Sequence, residues 1–171
     1  MRIIGIDPGT RIAGYGIIDI NPNSYPIPVA AGAWKLETIC DEKKKYPLPA
    51  RLATLAIEFR RILDLYKPTH LCLELSFLAD NPRTALLLGH SRGVILSEAH
   101  QYKLIITEIS ATSAKKMISG NGRADKSSIA KIMSHLLGFP MEKLPFDATD
   151  ALAIAYADSL RYKLNGGADR I

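Results

Sequence analysis

The first eighteen residues, MRIIGIDPGTRIAGYGII (1–18), predict how the fold begins. Residues 3–6 form an apolar run that is typical of a buried strand. Pro8 and Gly9 end this strand, because proline cannot donate to a strand ladder and both residues favour a turn. Asp7 is therefore the last residue of a buried strand, a position where a carboxylate is unusual.

Two more strands follow the turn, and the remainder of the chain alternates helices with strands. The two strands after the turn are predicted at 14–18 and 29–36, and two later strands at 71–75 and 105–109. Helices are predicted at 48–66, from 81–82 onward, at 111–119, at 126–137 and at 147–164. Asp125 is the expected N-cap of the fourth helix, and Gly138 its C-terminal stop. An antiparallel three-stranded meander followed by alternating helices and strands predicts an α/β fold, with a mixed five-stranded sheet and helices on both faces. We expect one domain over 1–164 and a flexible tail over 165–171.

The composition excludes several classes of protein. Of 171 residues, 47% are hydrophobic and 23% charged, which is ordinary globular usage and argues against a disordered or fibrous chain. No apolar run reaches the roughly 18 residues of a membrane span, and the start lacks a secretory signal pattern, so we expect a cytoplasmic protein. Lysine and arginine outnumber aspartate and glutamate by 22 to 17, and this net charge of +5 favours a polyanionic partner such as nucleic acid.

Four acidic residues occupy positions where a carboxylate is normally unfavourable. Asp7 ends the first strand, Glu74 lies inside the apolar stretch LCLEL, and Asp147 and Asp150 share one face at the start of the last helix. Burying a charge costs on the order of several kcal/mol unless the charge is paired or bound to a metal. Hard oxygen ligands suit Mg²⁺ or Mn²⁺, and two such ions can activate water and stabilise the leaving oxygen of a phosphodiester. The pattern therefore predicts metal-dependent phosphodiester hydrolysis.

Ordinary structural roles remain open for three of these acids. Asp7 could be a turn aspartate, Asp147 an N-cap, and Asp150 a first-turn acid that the helix dipole favours. Glu74 fits such a role least, because glutamate is depleted in strands and apolar residues flank it on both sides.

Four separated blocks resemble, in order and spacing, the RuvC-type Holliday junction resolvases, also called crossover junction endodeoxyribonucleases. They are IDPGTRIAGYGII (6–18), LELSFLADNPRTALLLGHSRG (73–93), SAKKMISGNGRADKSSIAKIM (113–133) and PFDATDALAIA (145–155). The resemblance implies an RNase H-like fold and a homodimer that nicks symmetrically related strands of a four-way DNA junction during homologous recombination and DNA repair. It also implies two Mg²⁺ per active site, with Mn²⁺ as a substitute, and a branch-migration helicase complex of the RuvA/RuvB type as partner.

The resemblance assigns roles to individual residues. It places the catalytic, metal-binding tetrad on Asp7, Glu74, Asp147 and Asp150, and it makes Lys126 a further catalytic residue. The DNA-binding residues that it implies are Phe77, Lys115 and Lys126, and Lys116 and Arg123 could serve in the same basic patch.

Two of these assignments also have a physical basis and a competing explanation. Lys126 lies in the first turn of a helix, whose free N–H groups attract phosphate, although it could be an ordinary solvated lysine. Phe77 matches the aromatic residue that inserts at the junction centre, although it could instead belong to the core.

A stripe of small residues runs along the second predicted helix, at Ala85, Gly89, Gly93 and Ser97. Each glycine disfavours a helix by about 1 kcal/mol, so two of them require a packing reason. That reason is either a two-fold dimer interface, as the resemblance implies, or tight seating of the helix on its own sheet.

Two other functions compete with a junction nuclease. Actin-like sugar kinases and ATPases also open with a strand, an aspartate and a glycine-rich hairpin, but they need two such domains around the nucleotide. A catalytically silent junction-binding module is disfavoured, because an acidic cluster without metal ions would repel the DNA backbone.

Overall fold

The computed structural model describes residues 1–21, 25–37, 47–75 and 81–164. Its strands are β1 (Arg2–Asp7), β2 (Ile12–Asp19), β3 (Ile27–Lys35), β4 (His70–Glu74) and β5 (Ile105–Ile109). Its helices are α1 (Leu48–Tyr66), α2 (Pro82–Gln101), α3 (Ala111–Ser119), α4 (Lys126–Leu137) and α5 (Phe146–Leu164), with a short 3₁₀ turn at Met141–Lys143. Within this part of the chain, no helix is long and apolar enough to cross a membrane.

The strands form one mixed sheet in the order β3-β2-β1-β4-β5. The first three strands are antiparallel neighbours, whereas β4 runs parallel to both β1 and β5. The predicted meander and mixed sheet are thus confirmed. The second strand is longer than predicted, because Ile12 and Ala13 pair with Lys35 and Trp34 of β3.

Helices cover both faces of the sheet, as predicted. On one face, Leu55 and Phe59 of α1 and Ile95 of α2 pack with the strand residues Ile4 and Leu71. The other face is covered by α3, α4 and α5, and its core includes Ile3, Ile18, Cys72, Ile129 and Leu152. Side chains alternate between the two faces along a strand. Gly5 and Cys72 face the α5 side of the sheet. Asp7 and Glu74 lie two residues further along the same strands, so their side chains point to the α5 side as well.

Helix α5 lies against the sheet with almost no space between the backbones. A Cβ added to Gly16 would lie 2.5 Å from Cα of Leu152, and one added to Gly14 would overlap the carbonyl group of Asp147. Only glycine permits such an approach, so these β2 positions set the depth at which α5 is held.

Helix ends follow the predicted signals. The Asp125 side chain accepts a hydrogen bond from the backbone N–H of Ser128 at 2.8 Å, and Gly138 ends α4 in the left-handed conformation with φ of 62°. At the start of α2, the Asn81 side chain accepts from the N–H of Arg83 at 2.9 Å. The Asp125 cap fixes Lys126 as the first residue of α4.

Helix α2 buries Ser91, Ile95, Glu98 and Ala99 and leaves its small-residue stripe facing outward. A Cβ added to Gly89 or to Gly93 meets no atom of the described residues within 4 Å. The alternative in which these glycines seat the helix on its own sheet is therefore wrong.

Candidate active site

Two acidic side chains meet at the carboxyl ends of β1 and β4. The parallel register pairs Ile6 with Leu73, so the next residues, Asp7 and Glu74, lie side by side at the edge where both strands end. The two side chains are close enough that a hydrogen bond between them is one cause of the raised pKa of Asp7. The two strands are parallel neighbours in the sheet, so their carboxyl ends lie at the same edge.

Helix α5 brings a third carboxylate to the same place. Asp150 lines a cavity of about 200 Å³ together with Asp7 and Glu74. The remaining wall comes from α3, α4 and α5, through Ala111, Ala114, Lys115, Ile118, Lys126, Ile129, Ala153 and Ile154. Asp147 is not among the lining residues, but it lies near enough for its charge to act on Asp7. The cavity thus combines an acidic floor, apolar walls and two lysines.

Burial and neighbouring charge shift the protonation of Asp7. Removal from water is the largest cause, followed by the negative charge of Glu74, and together with Asp150 and Asp147 they raise the pKa of Asp7 to about 8. The Asp7 carboxyl is therefore mostly protonated at neutral pH in the metal-free protein.

The Lys126 ammonium forms an ion pair with Asp150 across the mouth of the cavity. Its side chain is 62% exposed and that of Asp150 is 28% exposed. The hydrogen bond to Asp150 is the main cause that raises the pKa of Lys126, and the charges of Asp7 and Asp147 add to it. Lys126 and Lys115 are thus the two basic residues among those that line the cavity.

The donor chemistry of the cluster suits a hard divalent ion, although the side chains do not yet enclose one. Over the ranges that the structure describes, no group of three or more His, Cys, Asp or Glu side chains is arranged to hold a metal ion. The raised pKa of Asp7 keeps its carboxyl neutral at pH 7, and the Lys126 ammonium is paired with Asp150. The four carboxyl groups can carry more negative charge than the Lys126 ammonium neutralises. Oxygen ligands with this excess charge suit Mg²⁺ or Mn²⁺ rather than a softer metal.

The other predicted DNA-binding residues are less close to the cavity. Lys115 lines it, whereas Lys116 is exposed on α3 and Arg123 is exposed in the connection to α4, where its N–H donates to the Asn121 side chain at 3.0 Å. Neither Lys116 nor Arg123 is among the lining residues. Phe77 lies outside the described residues.

Two contacts at the site had no signal that sequence reasoning could use. The Lys126–Asp150 ion pair depends on how α4 packs beside α5, 24 residues away in the chain. Arg92 of α2 donates to the backbone carbonyl of Glu74 at 2.6 Å, from a helix that covers the opposite face of the sheet. An arginine in the helical stretch Ser91-Arg92-Gly93 does not by itself indicate Glu74 as its partner.

The raised pKa of Asp7 predicts how the stability of the metal-free protein depends on pH. An unfolded aspartate ionises near pH 4 (about 3.9), whereas folded Asp7 keeps its proton to about pH 8. Between these values the folded state binds more protons, so the free energy of unfolding should fall as pH rises. Urea unfolding with a chelator at pH 5 to 8 measures this slope, and Asp7→Asn should flatten it.

Asp19 provides a matched control for that experiment. Its hydrogen bonds to Arg2 lower its pKa, so it is ionised in both states across this pH range. Asp19→Asn should leave the slope as in the wild type. An equal slope in wild type and Asp7→Asn would contradict the assignment of the shift to Asp7.

Comparison with known proteins identifies relatives of the whole chain. Residues 3–158 match the family model described as Crossover junction endodeoxyribonuclease RuvC. A protein of that name from Caldicellulosiruptor saccharolyticus is 39% identical over 155 residues, which cover 91% of this chain and 90% of the relative. The structure of Thermus thermophilus RuvC matches with a TM-score of 0.83 at 22% identity, and T. thermophilus RuvC in complex with Holliday junction substrate with 0.82 at 20%, each covering 100% of both chains. These two structures confirm the expected RNase H-like fold.

Proposed function

Because the chain belongs to the RuvC family of crossover junction endodeoxyribonucleases, we propose that it resolves four-way DNA junctions by paired, symmetric nicks in recombination and repair. One observation carries this proposal: Asp7, Glu74 and Asp150, which are far apart in the chain, line one cavity beside two lysines. The Thermus relative described with a Holliday junction substrate supports the choice of DNA. The net charge of +5 suits a polyanionic substrate.

Asp7, Glu74, Asp147 and Asp150 would hold the metal ions, which we propose to be two Mg²⁺ with Mn²⁺ as a substitute. Ions bound there would supply an activated water and would stabilise the leaving oxygen of the phosphodiester. The chain prepares for them in two ways. To hold a divalent ion, Asp7 would release its proton, and Asp150 would leave its ion pair with Lys126.

Lys126 has a second role in this proposal. Once released from Asp150, its ammonium can donate to a backbone phosphate oxygen, and the free N–H groups at the start of α4 favour the same anion. Lys115, on the cavity wall, is placed to contact the same strand of DNA. We propose Lys116, Arg123 and Phe77 as further contacts to the junction, in accordance with the family resemblance.

Cleavage of defined DNA substrates tests the proposed function. Purified protein is incubated with a mobile four-way junction, a linear duplex and an RNA:DNA hybrid, each with and without Mg²⁺. We expect the wild type to make paired nicks only in the junction, and only when Mg²⁺ is present. The matched variant Glu74→Gln should make no nicks. Cleavage of the hybrid instead would indicate another RNase H-like nuclease, and junction binding without nicking would indicate a silent binding module.

Metal binding should also be visible in the thermal stability. An ion that binds only the folded state raises the unfolding midpoint by an amount set by its concentration relative to its dissociation constant. Mg²⁺ should raise the midpoint of the wild type more than that of Asp150→Asn, which lacks one proposed ligand. Differential scanning fluorimetry over a Mg²⁺ series measures both. Equal gains would indicate a nonspecific ion effect.

We propose that the outward stripe of α2 forms a homodimer interface. Gly89 and Gly93 are exposed, and Leu86 beside them is 66% exposed, so a second copy could approach the helix backbone closely. Gly89→Arg should therefore give a monomer in sedimentation equilibrium and convert paired junction nicks into single ones. Ile57→Arg, on the exposed face of α1, is the control and should remain dimeric. A dimeric Gly89→Arg would place the interface elsewhere.

Two further aspects follow from the proposed substrate. A branch-migration helicase of the RuvA/RuvB type would deliver the junction, and the protein would act in the cytoplasm, where that DNA is processed.

A further inference from the structure

Arg92 joins helix α2 to the end of the strand that carries Glu74. Its side chain is only 20% exposed although it lies next to the exposed Gly93. Nη1 donates to the backbone carbonyl oxygen of Glu74 at 2.6 Å, and Nη2 forms an ion pair with the Glu108 carboxylate on β5. One guanidinium thus holds the ends of two adjacent strands.

Within the ranges that the structure describes, few other contacts hold the end of β4. On the β5 side, the N–H of Leu75 donates to the carbonyl of Ile109 at 2.8 Å. On the other side, β1 ends at Asp7, and the next residue is Pro8, which has no N–H to donate. The Glu74 carbonyl therefore takes its donor from Arg92, and a hydrogen bond from a charged donor is about twice as strong as a neutral one.

We propose that Arg92 is a positioning residue for Glu74, an inference that rests on the proposed function. Arg92 holds the main chain of Glu74 from the α2 side of the sheet, while the Glu74 carboxylate projects to the α5 side, toward Asp7. Fixing the main chain fixes the origin of the side chain, and an error of about 1 Å in a catalytic group can lower a rate about a hundredfold. The same contact links the outward face of α2 to the active site.

Arg60 of α1 provides a matched comparison, because it too forms an ion pair with a glutamate and holds α2 in place. It forms an ion pair with Glu98 of α2, with Nε donating at 2.6 Å, and Glu98 is 5% exposed. This pair joins α1 to α2 and contacts no residue of the cavity lining. Removing Arg60 should therefore reduce stability without moving Glu74.

The experiment compares Arg92→Gln, Arg92→Lys and Arg60→Gln at a temperature where circular dichroism shows every variant folded. For Arg92→Gln we expect single-turnover nicking of a saturating junction to fall about 10- to 100-fold, the range seen when a residue that orients a metal ligand is lost. Junction affinity and sedimentation mass should stay unchanged. The Mg²⁺ concentration that gives half of the maximal rise in unfolding midpoint should increase by a similar factor.

The other two variants separate positioning from stability. Arg92→Lys should recover part of both losses, because one ammonium can reach only one of the two acceptors in a fixed geometry. Arg60→Gln should lower the unfolding midpoint at least as much as Arg92→Gln and keep the wild-type rate and Mg²⁺ dependence.

Three outcomes decide the inference. If Arg92→Gln nicks junctions at the wild-type rate with the wild-type Mg²⁺ dependence, the inference is wrong. It is also wrong if Arg60→Gln loses as much nicking and Mg²⁺ affinity as Arg92→Gln, because the losses would then come from reduced stability in general. If the wild type itself does not nick junctions, the proposed function fails, while the Mg²⁺ series on the unfolding midpoint still tests Arg92 by itself.

Discussion

Replacing Asp7 with asparagine should reduce junction nicking by at least about a thousandfold and leave junction binding intact. Metal ions in such sites contribute several kcal/mol to the transition state, and each ~1.4 kcal/mol corresponds to a factor of ten in rate. An amide keeps the size of the carboxylate but cannot carry its charge, so the site should lose ion affinity rather than its fold. Single-turnover cleavage and gel-shift binding measure the two quantities.

The stability of the same variant identifies the reason for its inactivity. Burial and three neighbouring carboxylates oppose ionisation of Asp7, so the neutral amide should make the metal-free protein more stable than the wild type at pH 8. A variant that is more stable but inactive has lost chemistry rather than structure. Asp64→Asn, on the exposed side of α1 where the carboxylate accepts a hydrogen bond from Tyr102 at 2.9 Å, should nick at the wild-type rate. Nicking by Asp7→Asn within tenfold of wild type would remove Asp7 from the metal site.

The main features of the fold were predictable because they depend on local patterns. The apolar run before Asp7 and the turn at Pro8 place one carboxylate at the end of a strand, and the LCLEL stretch places Glu74 in a second strand, which the structure ends at Glu74 itself. Their meeting required only that the two strands be parallel neighbours, which is the common arrangement after a helical crossover. The Asp125 cap and the Gly138 stop were predictable for the same reason, since caps use side chains within a few residues.

The contacts that complete the candidate site were not predictable in this way. Lys126 has the sequence signature of a phosphate-binding lysine, yet its ammonium is bound to Asp150, because α4 ends up beside α5 only after both have packed on the sheet. Arg92 reaches the backbone carbonyl of Glu74 from the opposite face of the sheet, and no periodic pattern in the sequence predicts such a contact. Sequence spacing indicates which residues share an element, whereas ion pairs between elements depend on the depth at which each helix packs.

Gly14→Ala should damage both the fold and the site, because Gly14 lies where β1, β2 and α5 meet. It pairs with Asp7 in the sheet, and an added Cβ would overlap the Asp147 carbonyl and lie 3.0 Å from the N atom of Ala148. The obstacle is backbone, which cannot rotate away as a side chain could, so α5 must move. Overpacking typically costs about 1–3 kcal/mol, and we expect a loss near the upper end, about 3 kcal/mol, in urea unfolding.

The displacement of α5 should also separate Asp147 and Asp150 from Asp7 and Glu74. We therefore expect nicking to fall at least about a hundredfold and the Mg²⁺-induced rise in unfolding midpoint to disappear. Gly89→Ala adds the same methyl group where no atom of the described residues lies within 4 Å. Measured at a dilution where the chain is monomeric, it should raise the free energy of unfolding by about 1 kcal/mol through helix propensity. If Gly14→Ala nicks junctions at the wild-type rate, the site tolerates a shift of α5. In that case the close approach of α5 to the β2 glycines does not set the geometry of the site.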